Sequence, residues 1–303
     1  MPILKVIVLA IVQGLAELLP VSSSAHVVVA EKLMGLDPTS PQMTLLLVML
    51  HTGTMFAVIV YFWKRWANTY FRSADAFKNI AIKIIVATFL TGLVGYPVKK
   101  IIEKTMFHGA AKAEIEQLFG RLDLVAAALF AVGILILYAG LAERRRLAAN
   151  AIPSGHAHDD EAHDDSLSTK QASVIGVVQG LCLPFRGFSR SGATISTGML
   201  AGVARETAET FSFALAVVLT PAVVGYEALR LLKATHEATA AGTATDLHGS
   251  IVVSLLGMIF SFIAGLAALK WLSIWLEAGR WYLFGIYCIV ASAVVFYLHT
   301  QGY

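Results

Sequence analysis

Six apolar stretches dominate the 303-residue sequence, at roughly 43 to 63, 80 to 98, 121 to 141, 209 to 230, 250 to 272 and 280 to 300. A helix crossing about 30 Å of hydrocarbon needs about 20 mostly apolar residues, and each stretch meets that length. With 57% hydrophobic and 14% charged residues and a mean hydropathy of +0.71, water is not the main solvent of this chain. The net charge of +3 is small and its Lys and Arg residues are scattered between apolar blocks. That pattern argues against a nucleic-acid partner and suits the flanks of membrane helices. Cys182 and Cys288 lie in apolar stretches without metal-ligand spacing, and are expected to be buried small hydrophobes.

Two further segments, 3 to 35 and 171 to 203, are apolar at their ends and interrupted in the middle. The first breaks at Pro20-Val21-Ser22-Ser23-Ser24, and the second between Pro184 and Gly192. Their arms are too short to cross alone, and irregular backbone at membrane depth is tolerated only against protein or a water-filled cavity. Each is therefore expected to be a re-entrant helix-loop-helix. The two also resemble each other: Val12-Gln13-Gly14-Leu15 recurs as Val178-Gln179-Gly180-Leu181, and three apolar stretches follow each. A re-entrant pair followed by three crossings carries the chain to the other side, so the second hairpin enters from the opposite face. The expected fold is an all-α polytopic membrane protein of two inverted repeats, 1 to 149 and 171 to 303, with the two serine-rich loops meeting near the midplane.

Between the repeats, 150 to 170 holds His156, His158, Asp159, Asp160, Glu161, His163, Asp164 and Asp165. These types bind metals, but the composition is that of a solvated linker. Lys64, Arg65, Arg72, Lys78, Arg144, Arg145, Arg146 and Lys170 fall on one side of the expected topology. Lys99, Lys100, Lys104, Lys112 and Lys233 fall on the other. The slight excess of the first set assigns it to the cytoplasm and both termini to the outside.

The chemistry is expected at the two breaks. Gln13 and Glu17 are four apart and share a helix face, and Ser22, Ser23, Ser24 and His26 sit in or just after the first break. An intramembrane carboxylate costs about 2.5 to 3.5 kcal/mol on insertion scales and needs a partner or a metal. The second break brings Arg186, Ser189, Arg190, Ser191 and Thr194, with the backbone N–H groups of Gly187 and Gly192. A guanidinium fork, hydroxyl donors and exposed amides are what phosphate oxygens bind to. One hairpin thus offers acid, hydroxyl and imidazole, and the other offers cation and donors.

Residues 13 to 26, QGLAELLPVSSSAH, and 187 to 194, GFSRSGAT, closely resemble the two signature regions of the BacA-type undecaprenyl-diphosphate phosphatases. The resemblance extends over nearly the whole chain. It implies an integral membrane enzyme of the bacterial plasma membrane that cleaves undecaprenyl pyrophosphate to undecaprenyl phosphate and recycles the cell-wall carrier lipid. It further implies bacitracin resistance, a divalent cation, magnesium or alternatively calcium, and inverted repeats with re-entrant hairpins. The family pattern has proline before the glycine of the second motif, where this chain has Arg186. On this reading Glu17, with Gln13, holds the metal, and Arg190 clamps phosphoryl oxygens. Either Ser23 attacks with His26 as base, or His26 itself attacks or activates water. Ser22, Ser24, Ser189, Ser191, Gly192 and Thr194 are expected to bind the phosphate, and the site to open to the periplasmic side. The oligomeric state is left open, a homodimer included.

Each assignment has a plainer counterpart. Ser, Thr and Gly in membrane helices commonly serve close packing, and Glu17 with Arg190 would also make a bracing ion pair. His51, alone in a span, is expected to be a hydrogen-bonding core residue with the cavity as the alternative. Trp63, Trp66, Trp271, Trp275 and Trp281 are expected to form an interfacial belt. The rival to a phosphatase is a transporter or flippase, because broken helices at the midplane also build transport sites.

Overall fold

The computed structural model describes residues 2–36, 41–106, 120–150, 167–240, 247–276 and 280–303, and no strand occurs among them. The described residues form ten helices, α1 (Ile3–Leu18), α2 (Ser23–Leu33), α3 (Pro41–Thr69), α4 (Ala74–Met106), α5 (Leu122–Asn150), α6 (Thr169–Cys182), α7 (Arg190–Leu200), α8 (Arg205–Ala240), α9 (Leu247–Leu276) and α10 (Tyr282–Thr300). α3, α4, α5, α8, α9 and α10 are long and apolar enough to cross a membrane, one for each stretch read from the sequence. The protein is all-α and multi-pass. Phe56, Val60, Phe89, Leu93, Ile259 and Ile263 are exposed on these helices, as befits a surface whose solvent is lipid.

α1, α2, α6 and α7 have 16, 11, 14 and 11 residues, too short to cross at about 1.5 Å per residue. The cause of each break is local. Pro20 forces Leu19 out of the helical region, to φ −83° and ψ 152°, and ends α1. Ser22 then takes φ +68° and caps α2 by accepting from the Ala25 N–H. In the second hairpin Pro184 follows α6, Gly187 turns the chain at φ +99°, and Ser189 caps α7 by accepting from the Gly192 N–H at 3.1 Å. Gly187 has a second constraint, since a Cβ there would lie 2.4 Å from the Val125 carbonyl oxygen.

The hairpin arms are held by close backbone approach. α1 lies against α9 and α6 against α4, while α5 pairs with α10. Exchanging the two halves converts the first pairing into the second and leaves the third unchanged. The repeated Val-Gln-Gly-Leu does the same work twice. A Cβ on Gly14 would lie 2.7 Å from the Ser261 carbonyl oxygen of α9, and one on Gly180 2.6 Å from the Thr91 carbonyl oxygen of α4. Such small-residue seams let helices approach where lipid offers no hydrophobic drive between them. Around α6 the seam is tied by Thr91, whose hydroxyl donates to the Gly176 carbonyl at 2.9 Å, and by Gln179, whose amide donates to Thr91 at 3.1 Å.

Cys182 and Cys288 are free and buried, as expected. The aromatic belt needs correction. Trp63 and Trp271 are exposed, but Trp66 and Trp281 are buried. The indole of Trp66 donates to the Thr210 carbonyl and that of Trp281 to the Ser196 hydroxyl at 3.0 Å. A polar N–H on a large apolar ring suits both an interface and a buried helix contact, so composition alone does not separate the two. The side chain of Trp275 and the His and acidic residues of the 150–170 linker lie outside the described residues.

Gly180→Ala should lower the thermal unfolding midpoint of the detergent-purified protein by several degrees, the equivalent of about 1–3 kcal/mol of overpacking. Gly92→Ala, on α4, the helix that α6 packs against, but with nothing within 4 Å of a new Cβ, should leave the midpoint unchanged or raise it slightly. Equal midpoints by scanning fluorimetry would mean that the α4–α6 seam can relax.

Candidate active site

Glu17 stands on the last turn of α1, one helical turn after Gln13, just before the proline that ends the helix. The shared face is realised: the Gln13 amide donates to the Glu17 carboxylate at 3.1 Å. Ser23, the first residue of α2, folds back across the turn and donates its hydroxyl to the same carboxylate oxygen. From the other hairpin Arg190, opening α7, donates to the second oxygen at 2.9 Å. Arg190 and Glu17 are only 21% and 16% exposed. Their attraction is therefore far less screened than that of a surface pair. The carboxylate thus accepts from both hairpins.

Further contacts join the two tips. The Gly187 N–H donates to the Ser24 hydroxyl at 3.2 Å, and the Ser191 hydroxyl donates to the Leu19 carbonyl at 3.4 Å. Ser22 and Ser24 hydroxyls are 3.2 Å apart, and those of Ser189 and Ser191 3.4 Å. The predicted meeting of the serine-rich loops is thus a set of direct hydrogen bonds. Gly192 packs among Ile136, Ser189 and the Pro20 carbonyl. Thr194 is fully buried, and its hydroxyl bonds the Arg190 carbonyl at 2.8 Å and Ser212 of α8. In this arrangement that hydroxyl serves the α7–α8 contact.

His26 sits one turn into α2. Its Nδ1 is 2.8 Å from the Ser22 carbonyl, which can only accept, so Nδ1 carries the proton. Nε2 then accepts from the Tyr287 hydroxyl at 2.6 Å, and the two rings stack with centroids 5.7 Å apart. Ser23 and His26 each bond elsewhere, Ser23 to Glu17 and His26 to Tyr287.

Sequence reasoning missed Tyr287, which lies 261 residues from its partner, in a span with no break to draw notice. For His51 the alternative to a core position holds. The structure puts His51 in the pocket that Glu17 and Arg190 share, with its Nε2 3.7 Å from Glu17. Leu18, Thr54, Met55, Val58, Phe213 and Val217 form much of the remaining wall, between α3 and α8. A small charged patch thus opens onto an apolar cleft.

The donor set suits a hard divalent cation. The Gln13 side-chain oxygen is buried with no hydrogen-bond partner, beside a carboxylate and a hydroxyl, and all three are oxygen donors of the kind magnesium and calcium take. No group of three His, Cys, Asp or Glu side chains is placed to hold a metal among the described residues, so substrate oxygens and water would complete any coordination.

A model of the family "Bacitracin resistance protein BacA" matches residues 6–294. The chain is 55% identical to "Undecaprenyl-diphosphatase 2" of Acinetobacter baylyi over 295 residues, which is 97% of each. It is 32% identical to "Undecaprenyl-diphosphatase 2" of Burkholderia ambifaria and 34% identical to that of Burkholderia thailandensis, in each case over 97% of this chain and 96% of the relative. With two tip-to-tip hairpins built from its signature residues and a match running almost from end to end, the chain belongs to the BacA family.

Proposed function

We propose that this chain is an integral membrane phosphatase that hydrolyses undecaprenyl pyrophosphate to undecaprenyl phosphate and inorganic phosphate, and that its abundance confers bacitracin resistance. The names of its relatives and its family support the substrate. The observation that carries the chemistry is the Ser23–Glu17–Arg190 link, which joins a hydroxyl, a carboxylate and a guanidinium from two hairpins inside one pocket.

In this reading Arg190 binds the oxygens of the terminal phosphoryl group and neutralises the charge that builds on them. Ser23 is the nucleophile. Its hydroxyl already donates to Glu17, which gives the departing proton a destination as the bond to phosphorus forms and that to the bridging oxygen breaks. Water then releases phosphate from Ser23. His26, whose Nε2 is held by Tyr287, is less suited to attack, and the hydrogen bonding favours the serine route over the alternative. Glu17 and Gln13 would hold a divalent cation, magnesium or calcium, which when bound supplies charge neutralisation on the pyrophosphate. The hydroxyls of Ser22, Ser24, Ser189 and Ser191 shape the anion cradle, whereas the amides expected there are already engaged, that of Gly187 donating to Ser24 and that of Gly192 to Ser189. The apolar α3–α8 wall receives the prenyl chain from the bilayer.

The halves are read as inverted repeats in the bacterial plasma membrane, with the site open to the periplasmic side. The exchange symmetry of the helix pairings supports the repeat.

Phosphate release from purified protein with undecaprenyl pyrophosphate and magnesium tests the whole reading. Glu17→Ala, Ser23→Ala and Arg190→Ala should each lose about 10²–10³-fold in rate while keeping the wild-type circular dichroism. Background hydrolysis by wild type, or full rates in folded variants, would point to transport instead.

Arg186 has a different neighbour. Its charge acts on Glu31 of α2, which is 0% exposed and whose carboxylate oxygens accept no hydrogen bond. Arg186→Pro should therefore keep most of the hydrolytic rate but lower stability by about 1–3 kcal/mol, the usual penalty of an uncompensated buried polar group. Adding Glu31→Gln should restore much of that loss. A rate as low as that of Arg190→Ala would instead put Arg186 on the substrate.

A further inference from the structure

His51 has no part in the mechanism above, and it comes from α3 rather than from either hairpin. Its Nδ1 is 2.8 Å from the Leu47 carbonyl. A carbonyl only accepts, so Nδ1 carries the ring proton and the lone pair of the neutral imidazole lies on Nε2. That nitrogen faces Glu17 Oε2 at 3.7 Å, beyond hydrogen-bond reach. In the neutral form of the ring a lone pair and a carboxylate oxygen thus face one another across this gap, at the rim of the pocket that also holds Arg190.

Two electron-pair donors aimed at one gap are accommodated best by a cation. Metal–ligand bonds run from about 2.0 to 2.6 Å for nitrogen and oxygen donors, so two of them together exceed the 3.7 Å separation, and one ion can touch both atoms. A ring N–H tied to a backbone carbonyl is also the arrangement that orients metal-binding imidazoles. A third donor adjoins them: Gln13 reaches Glu17 through its amide nitrogen, and its oxygen is buried without a partner.

We infer that His51 Nε2 is a direct ligand of the divalent cation, beside Glu17 and Gln13; the inference rests on the cation dependence proposed above. The positions left over fall to pyrophosphate oxygens and water, as they do for ions that bind substrate phosphates. A single nitrogen among oxygens shifts preference from magnesium and calcium toward manganese and cobalt. The core reading of His51 gives way to a third element contributing to the site.

The test is pulsed electron paramagnetic resonance on the full chain, purified in detergent and loaded with Mn²⁺ alone. The wild-type spectrum should carry the modulation of a directly bound imidazole nitrogen. His51→Gln should lose it and bind Mn²⁺ about tenfold more weakly or worse, with a smaller preference for Mn²⁺ over Mg²⁺. The modulation should survive in His26→Gln, and in a chain with His156, His158 and His163 all replaced by alanine. Absence of nitrogen modulation from Mn²⁺-loaded wild type, which requires no variant to fold, would overturn the inference. So would its persistence in His51→Gln, or its loss only with the linker histidines. Phosphate release from the same samples separates the two readings: hydrolysis without a nitrogen signal removes His51 alone, whereas a nitrogen signal without hydrolysis removes the phosphatase.

Discussion

A carboxylate in the interior of a membrane protein has to be neutralised where it stands, and the architecture around Glu17 answers that requirement. Its two oxygens accept from Gln13, Ser23 and Arg190. Removing Arg190 would leave a charge in surroundings that disfavour it, and removing Glu17 would strand a guanidinium in the same way. The same electrostatic demand that makes the pair costly in isolation makes it a strong tie between hairpins. In the proposed reaction a phosphate group would compete with Glu17 for Arg190, and the ion pair would hold the guanidinium ready without fixing it permanently.

The serves-twice character of the Val-Gln-Gly-Leu repeat explains how short helices reach that depth. Neither α1 nor α6 has the length to cross, and each relies on a glycine to press its backbone onto a full-length span, α9 in one half and α4 in the other. Close approach satisfies dispersion and leaves little room for lipid at the hairpin flank. The tips, freed from spanning, can then be irregular. Ser22 is the one described non-glycine residue with positive φ, and it stands in the turn that brings Ser23 to Glu17. Strain of this kind gathers where surrounding structure fixes a particular geometry for use.

Much of this was legible in the sequence, because bilayer thickness converts directly into hydrophobic length. All six spans followed from that conversion, and both breaks followed from proline and serine in otherwise apolar segments. The shared face of Gln13 and Glu17 followed from helical periodicity. What periodicity cannot supply is contact between distant helices. His51 is a single histidine in its apolar stretch and Tyr287 one of three tyrosines in its own, so nothing local separates a pocket residue from a packed one. Trp66 and Trp281 failed for a related reason, since an amphipathic ring is equally at home at a headgroup and against a neighbouring helix. The hydroxyl of Thr194 matched a motif, yet it is bonded within the α7–α8 contact.

The donors to Glu17 differ in when a ribosome delivers them. Gln13 and Ser23 are four and six residues away, whereas Arg190 is 173 residues away. The first hairpin therefore carries its own amide and hydroxyl donors to the acid from the start, whereas the guanidinium follows only after more than half of the chain. The near neighbours act as an intramolecular holding arrangement, and a truncated nascent chain possesses the acid and the hydroxyl without the cation. On the roles proposed for these residues, reactivity toward the carrier lipid would begin only once the second half has docked, which would make completion of biogenesis a built-in safeguard.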